Sequence, residues 1–173
     1  MTLHTLTYEM ADGYVDHWLV AGPHHRSLSA AGRKTDDVVP PERPIHLAAF
    51  KVEGTELQWQ LETAGADHIL DLSKVVHERV ELWTWAYVEL VSPDAQTIRA
   101  RLTSHGPAKV WCNHDLCHEA SAAPGLVPTT SAFTLGLHTG TNSLAVLLTS
   151  VGNGSTPLTL GLQLADAESL TLQ

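Results

Sequence analysis

Between Trp111 and Glu119 the chain reads Trp-Cys-Asn-His-Asp-Leu-Cys-His-Glu, its densest run of reactive side chains. Cys112, His114, Cys117 and His118 are the thiol and imidazole donors that zinc takes in tetrahedral sites. Spacing tempers that reading. If Asn113-His114 forms a two-residue hairpin turn, Cys112 stands opposite Asp115 and Cys117 falls diagonally on the same face. His118 then points to the other face. One face supplies both sulfurs but not four ligands, and a paired-cysteine zinc site needs a second pair where the chain has only two cysteines. The bland reading is that both thiols pack as small apolar residues. A disulfide between them depends on a suitable backbone spacing.

The chain has eleven histidines, and His24, His25, His105, His114 and His118 all fall in expected loops or turns, where functional groups concentrate. Acid–base work needs a partner within hydrogen-bond reach of the imidazole. No Gly-x-Ser-x-Gly elbow, His-Glu-x-x-His helix or phosphate-cradling glycine loop is present. No catalytic residues and no cofactor are therefore expected, and a small stand-alone hydrolase is kept only as an alternative. The tryptophans are the remaining candidates, because sugar rings stack their C–H faces on aromatic planes. Trp18 and Trp59 lie in apolar strands and read as core. Trp83 and Trp85 share a strand face with Tyr87, which reads as sheet packing. Trp111, beside the hairpin tip, is the tryptophan expected to be exposed.

The elements that must position these residues are strands. In Thr97–Leu102, Ile98, Ala100 and Leu102 alternate with Thr97, Arg99 and Arg101, the period of a strand with one wet face. Trp85–Leu90 is rich in aromatic and β-branched residues and is broken by Ser92-Pro93-Asp94. Leu57, Trp59 and Leu61 are expected on one face of a strand from Glu56 to Thr63. Leu144–Leu148 is a continuous apolar run, suited to a strand buried on both faces. Leu158, Leu160, Leu162 and Leu164 alternate in the last clear strand. An irregular loop is expected over about 24–44, where no period is sustained. About eight short strands with Gly/Pro/Asn/Asp turns, and no helical period, predict one all-β domain over 1–173, a β-sandwich jelly roll.

Composition bounds the partners. The 173 residues carry 19 acidic and 10 basic side chains, a formal net charge of −9. Phosphate neutralisation needs the opposite balance, so nucleic acid is not an expected partner. No apolar run is long enough for a membrane helix. The start lacks a basic segment followed by an apolar one, so a cytoplasmic location is expected.

The order of motifs resembles a family of galactose-binding-like jelly-roll modules. Trp18-Leu19-Val20-Ala21-Gly22-Pro23 resembles its opening, and the strand with Trp59 is similar to its central tryptophan strand. Ala86–Leu90 with Ser92-Pro93 resembles a third motif, Lys109-Val110-Trp111-Cys112-Asn113 its hairpin, and Leu137–Leu148 with Gly140 and Asn142 its late strand. Two departures stand out: Ser104-His105-Gly106-Pro107 replaces an acidic turn, and His114 replaces the hairpin glycine. The resemblance implies a galactose-binding-domain-like fold and a non-catalytic accessory module of the kind found beside catalytic domains in bacterial carbohydrate-active enzymes. Such a module binds carbohydrate or docks to a catalytic domain of the same protein. A sugar would be held by loops at one end of the sandwich, with Trp111, Asn113, His114 and His105 as ligand-binding residues. A metal-stabilised domain using the Cys112–His118 hairpin is the alternative from a different class.

Overall fold

The computed structural model describes residues 7–28, 38–42, 49–121, 127–152, 154–165 and 167–172. Fifteen strands run through them: β1 (His17–Arg26), β2 (Phe50–Val52), β3 (Thr55–Leu57), β4 (Gln60–Thr63), β5 (Leu70–Asp71), β6 (Lys74–Val76), β7 (Glu81–Ser92), β8 (Gln96–Ser104), β9 (Ala108–Cys112), β10 (Asp115–Ala120), β11 (Thr129–Leu137), β12 (Gly140–Val151), β13 (Gly154–Thr156), β14 (Thr159–Leu164) and β15 (Thr171–Leu172). Among the described residues no helix is long and apolar enough to cross a membrane.

A seven-stranded antiparallel sheet has the order β10-β9-β12-β7-β1-β4, with β15 continuing the β1 side of β7. A four-stranded sheet, β11-β8-β14-β5, packs against it. The result is the all-β sandwich the sequence predicts. Alternation along the strands fills the space between the sheets. Ala86, Val88 and Leu90 of β7 and Leu144, Val146 and Leu148 of β12 meet Ile98, Ala100 and Leu102 of β8 and Leu160, Leu162 and Leu164 of β14.

The odd-numbered residues of the same central strands build a second core on the outer face of the large sheet. Trp83, Trp85, Tyr87, Trp111, Ala145 and Leu147 pack there against Leu57 and Trp59. The β2–β3 hairpin forms part of its cover, with Phe50 stacked on Trp59 at 4.9 Å. Leu144–Leu148 is thus buried on both sides, as its unbroken apolar run requires. The expected strand Glu56–Thr63 is instead two strands with a break at Gln58-Trp59, and Leu61 is 52% exposed on the sheet's edge strand. β1 extends to Arg26, into the stretch expected to be loop; residues 29–37 and 43–44 of that stretch lie outside the described residues.

Asn113 and His114 have φ of 51° and 71°, so β9 and β10 are joined by a two-residue turn with both central residues left-handed. The histidine therefore changes neither the turn's type nor its length. The tip is tied down by Asn142, which is fully buried. The Asn142 carboxamide donates to the carbonyls of His138 and Gly140, and its oxygen accepts from the His138 N–H and from Asn113 Nδ2, at 2.8–3.0 Å. Asn113 Oδ1 in turn accepts from the Ser143 N–H at 3.0 Å. One buried amide thereby closes the β11–β12 turn and clamps the β9–β10 hairpin to it.

Two stability changes are expected. Asn142→Ala orphans several buried donors and acceptors and should cost about 3 kcal/mol in denaturant unfolding. His114→Gly removes a left-handed β-carbon and should stabilise by about 1 kcal/mol; no gain in the unfolding midpoint would mean the turn is not of this type.

Candidate functional site

The residues singled out in the sequence are not brought together. Trp111, expected to be exposed, is only 5% exposed. It sits in the second core with its ring 5.3 Å from that of Trp85. Its strand neighbours the doubly buried β12, so its face is core rather than surface. Asn113 is engaged in the clamp just described. His114 is exposed at the hairpin tip. His105 lies beyond the opposite end of β9, where its Nδ1 is 2.7 Å from Thr159 Oγ1. Five residues of β9 separate the two histidines, on the order of 17 Å of extended chain.

The cysteine–histidine hairpin departs from the expected geometry through one inserted residue. The register of β9 and β10 shifts between Leu116 and His118, so Cys117 is a bulge. The bulge turns His118 inward, correcting the expectation that it points away from the thiols. Its ring stacks on Phe133 of β11 at 4.4 Å, and its Nε2 is 2.7 Å from Ser131 Oγ. Cys112 and Cys117 both border the inter-sheet core, their thiols directed at the carbonyls of Gly136 and Val110. Burial is the main cause that pushes the Cys112 thiol up to about 11 and the Cys117 thiol up to about 12. Burial also holds His118 below the ordinary imidazole range. Metal ligation needs thiolates, and among the described residues no group of three or more His, Cys, Asp or Glu is arranged to hold an ion. The four-ligand zinc reading is not assembled.

The polar features that packing does not explain gather at the other end of the sandwich. Four buried side-chain atoms of described residues lack a hydrogen-bond partner: His24 Nδ1, Trp83 Nε1, Thr84 Oγ1 and Ser150 Oγ. All four lie at the start of β7 or beside it, since His24 pairs with Trp83 and Ser150 with Leu82. Here β1 shifts register between Ala21 and His24, around the cis Gly22-Pro23 bond. Gly22 has φ 128°, and a β-carbon on it would come within 2.8 Å of the Trp83 carbonyl, so the strands approach too closely for any side chain. The bulge opens a pocket of about 280 Å³ between β1, β4 and the Asp71–Lys74 segment. Gln58, Gln60, Glu62, Asp71, Lys74 and Thr84 contribute its polar wall. Asp71 is held below the usual carboxylate range, first by hydrogen bonding from Ser73, and also by the nearby charge of His105. His105, Ser150 and Thr156 line a second pocket of about 200 Å³ at the same end.

Beside these pockets, Arg26 anchors the outer core. Its guanidinium bonds Glu53 at 2.9 Å and Glu81 at 2.8 Å, and lies 4.1 Å from the centre of the Trp83 ring. The Arg26 hydrogen bond is the chief cause that lowers the Glu53 carboxyl. Sequence reasoning missed this network and the Gln58–Glu62 wall. The Glu-Leu-Gln-Trp-Gln-Leu-Glu alternation was the available signal, since a strand flanked by amides and carboxylates has a polar face to present.

Two histidine–carboxylate pairs do form, His24–Glu53 at 3.4 Å and His68–Asp16 at 3.0 Å. No hydroxyl or thiol of a described residue bonds either imidazole.

No protein-family model matches the chain, and no curated protein matches it. Among solved structures it is similar to a family 35 carbohydrate binding module from an environmental isolate, at 11% identity and TM-score 0.40 over 96% of each chain. It is also similar to a family 35 module from Clostridium thermocellum, at 8% identity and TM-score 0.37, over 57% of this chain and 94% of that one. A beta-glucosidase from Kluyveromyces marxianus in complex with glucose gives 14% identity and TM-score 0.48, over 87% of this chain but 17% of that one. Likenesses this remote concern the fold and pass no ligand or activity to this chain.

The thiol environment makes a pH prediction. A raised folded-state pKa means the unfolded thiols ionise first. The stability gained from burying them neutral is full below about pH 8.5, the free-thiol range. It is lost as pH climbs towards the folded-state values of about 11 and about 12. At pH 8.5, alkylation of the folded chain should be at least tenfold slower than of the unfolded chain, read by mass spectrometry.

Proposed function

We propose that the chain is a non-catalytic module that binds carbohydrate at the end of the sandwich where β7 begins. One observation carries this reading: a pocket with a polar wall lies there, and Thr84, whose buried hydroxyl is left without a partner, is among the residues that line it. A buried hydroxyl or ring N–H without a partner costs about 1–3 kcal/mol, and native proteins keep few of them without reason. A polyhydroxylated ligand supplies both donors and acceptors. The wall suits it: carboxylates accept two sugar hydroxyls, carboxamides both donate and accept, and Lys74 donates. Apolar Val20, Leu57 and Leu72 contribute the remaining surface, as a C–H face of a sugar ring requires. The accessory role, beside a catalytic domain of the same protein, rests on the order of the five sequence motifs. Of the four residues proposed from sequence, His105 alone lies at this end of the molecule.

Glycan-array screening followed by calorimetry tests the proposal. A neutral oligosaccharide is expected to bind, and Gln60→Ala with Glu62→Gln should weaken it at least tenfold, about 1.4 kcal/mol. An unchanged affinity in that variant, with an unchanged unfolding midpoint, would place binding elsewhere. No glycan bound at millimolar concentration would remove the carbohydrate reading altogether.

A further inference from the structure

The charges on the pocket between β1, β4 and the Asp71–Lys74 segment are lopsided. Of the charged side chains that line it, Glu56, Glu62 and Asp71 are carboxylates, and Lys74 is the single cation. Asp71 accepts from the Ser73 N–H at 2.9 Å and is held below the usual carboxylate range, first by its hydrogen bonding to Ser73. His105 lies near Asp71 but does not line the pocket. Glu62 is half-buried on β4, two residues from Gln60 on the same strand face, roughly 7 Å along the strand. No hydrogen bond or ion pair engages Glu56, Glu62 or Lys74 among the described residues, although Lys51 stands opposite Glu56 on β2. Thr84 is an independent sign of a ligand. It is the one buried polar residue of the lining, 2% exposed, and its hydroxyl has no partner. Opposite it β1 shifts register, and Pro23, which lines the pocket as well, has no N–H to give.

We infer that this pocket selects an amino sugar, its protonated 2-amino group received among Glu56, Glu62 and the Gln60 carboxamide, over the same sugar with a hydroxyl in that place. That the ligand is a sugar rests on the proposed function; that it is cationic rests on the excess of unpaired carboxylates. An ammonium group has three donors and no acceptor, so it matches a wall of acceptors more fully than a hydroxyl does. Its hydrogen bonds to carboxylates are also charge-assisted and therefore stronger. A divalent metal ion is the other cation that such a wall suggests, but it needs its oxygens gathered in one shell. Among the described residues no three acidic, histidine or cysteine side chains are arranged to hold one. A sugar ring, with its amine and hydroxyls spread around it, reaches carboxylates that do not converge. Thr84 and Lys74 are left for its hydroxyls.

Calorimetry with tetrasaccharides of one linkage, built from glucosamine, N-acetylglucosamine or glucose, varies the group at C2 alone. At about pH 6, above the carboxylate range and below that of an amine, the glucosamine oligomer should bind at least tenfold tighter than the other two. That margin should shrink as salt rises from about 50 to about 500 mM. Glu56→Gln with Glu62→Gln should bring the glucosamine oligomer within about twofold of the glucose one. Asp94→Asn with Glu168→Gln, which removes the same charge from exposed positions outside the pocket, should keep the margin. If the first double variant lowers the unfolding midpoint, Glu62→Gln alone is read in its place, and its margin should be reduced. Binding of the glucose oligomer by the unaltered chain as tightly as the glucosamine one overturns the inference and leaves carbohydrate binding standing. A margin that survives the pocket variant also overturns it. So does a margin lost equally in Asp94→Asn with Glu168→Gln, since the attraction then belongs to the chain's formal charge of −9 rather than to the pocket. Failure of every glycan, charged or neutral, overturns both readings together.

Discussion

The pairing of β7 with β12 is the constraint on which the molecule depends. Twelve residues of each strand run in unbroken register from Gly140–Ser92 to Val151–Glu81. Because side chains alternate, each strand must satisfy two environments at once. Its even residues fill the space between the sheets, and its odd residues form the floor of the aromatic core outside. A one-residue slip would exchange the two sets, placing tryptophans between the sheets and leucines beneath the hairpin. The register is therefore held by volume on both faces as well as by hydrogen bonds.

The ends of this pair have opposite characters. At the Ser92–Gly140 end the buried polar side chains are bonded: Asn142 closes its turn, Asn113 completes the clamp, and Ser92 bonds the Asp94 carbonyl and Gln96. At the Glu81–Val151 end β1 bulges, and His24, Trp83, Thr84 and Ser150 retain unpaired polar atoms. A saturated end is a structural device; the unsaturated one, next to polar concavities, is where the proposed ligand would sit.

Much of the fold was legible because alternation is local. Ile98, Ala100 and Leu102, and the leucines from 158 to 164, are buried as their spacing requires. Trp18 and Trp59 are core, and Trp83, Trp85 and Tyr87 pack on one sheet face. The site was far less legible. Trp111 was read as exposed because its neighbour is a turn, but its burial is decided by strands distant in sequence, β7 and β12. His118 was assigned the wrong face because one bulge residue reverses the alternation, and nothing in the local sequence announces it. The motif residues Asn113 and Asn142 bond one another, so that part of the motif order tracks the architecture of the hairpin clamp. The pocket wall is assembled from Gln58–Glu62, Asp71–Lys74 and Thr84, segments joined only by topology.

The central claim is that the β7 end, and not the hairpin tip, meets the sugar. Amide chemical-shift mapping of the labelled chain during titration with a neutral oligosaccharide tests it most directly. The account predicts that the amides of Gln60, Glu62, Ser73, Lys74 and Thr84 move with added ligand while those of Asn113, His114 and Ser143 stay in place. Shifts confined to Asn113, His114 and their neighbours would contradict it.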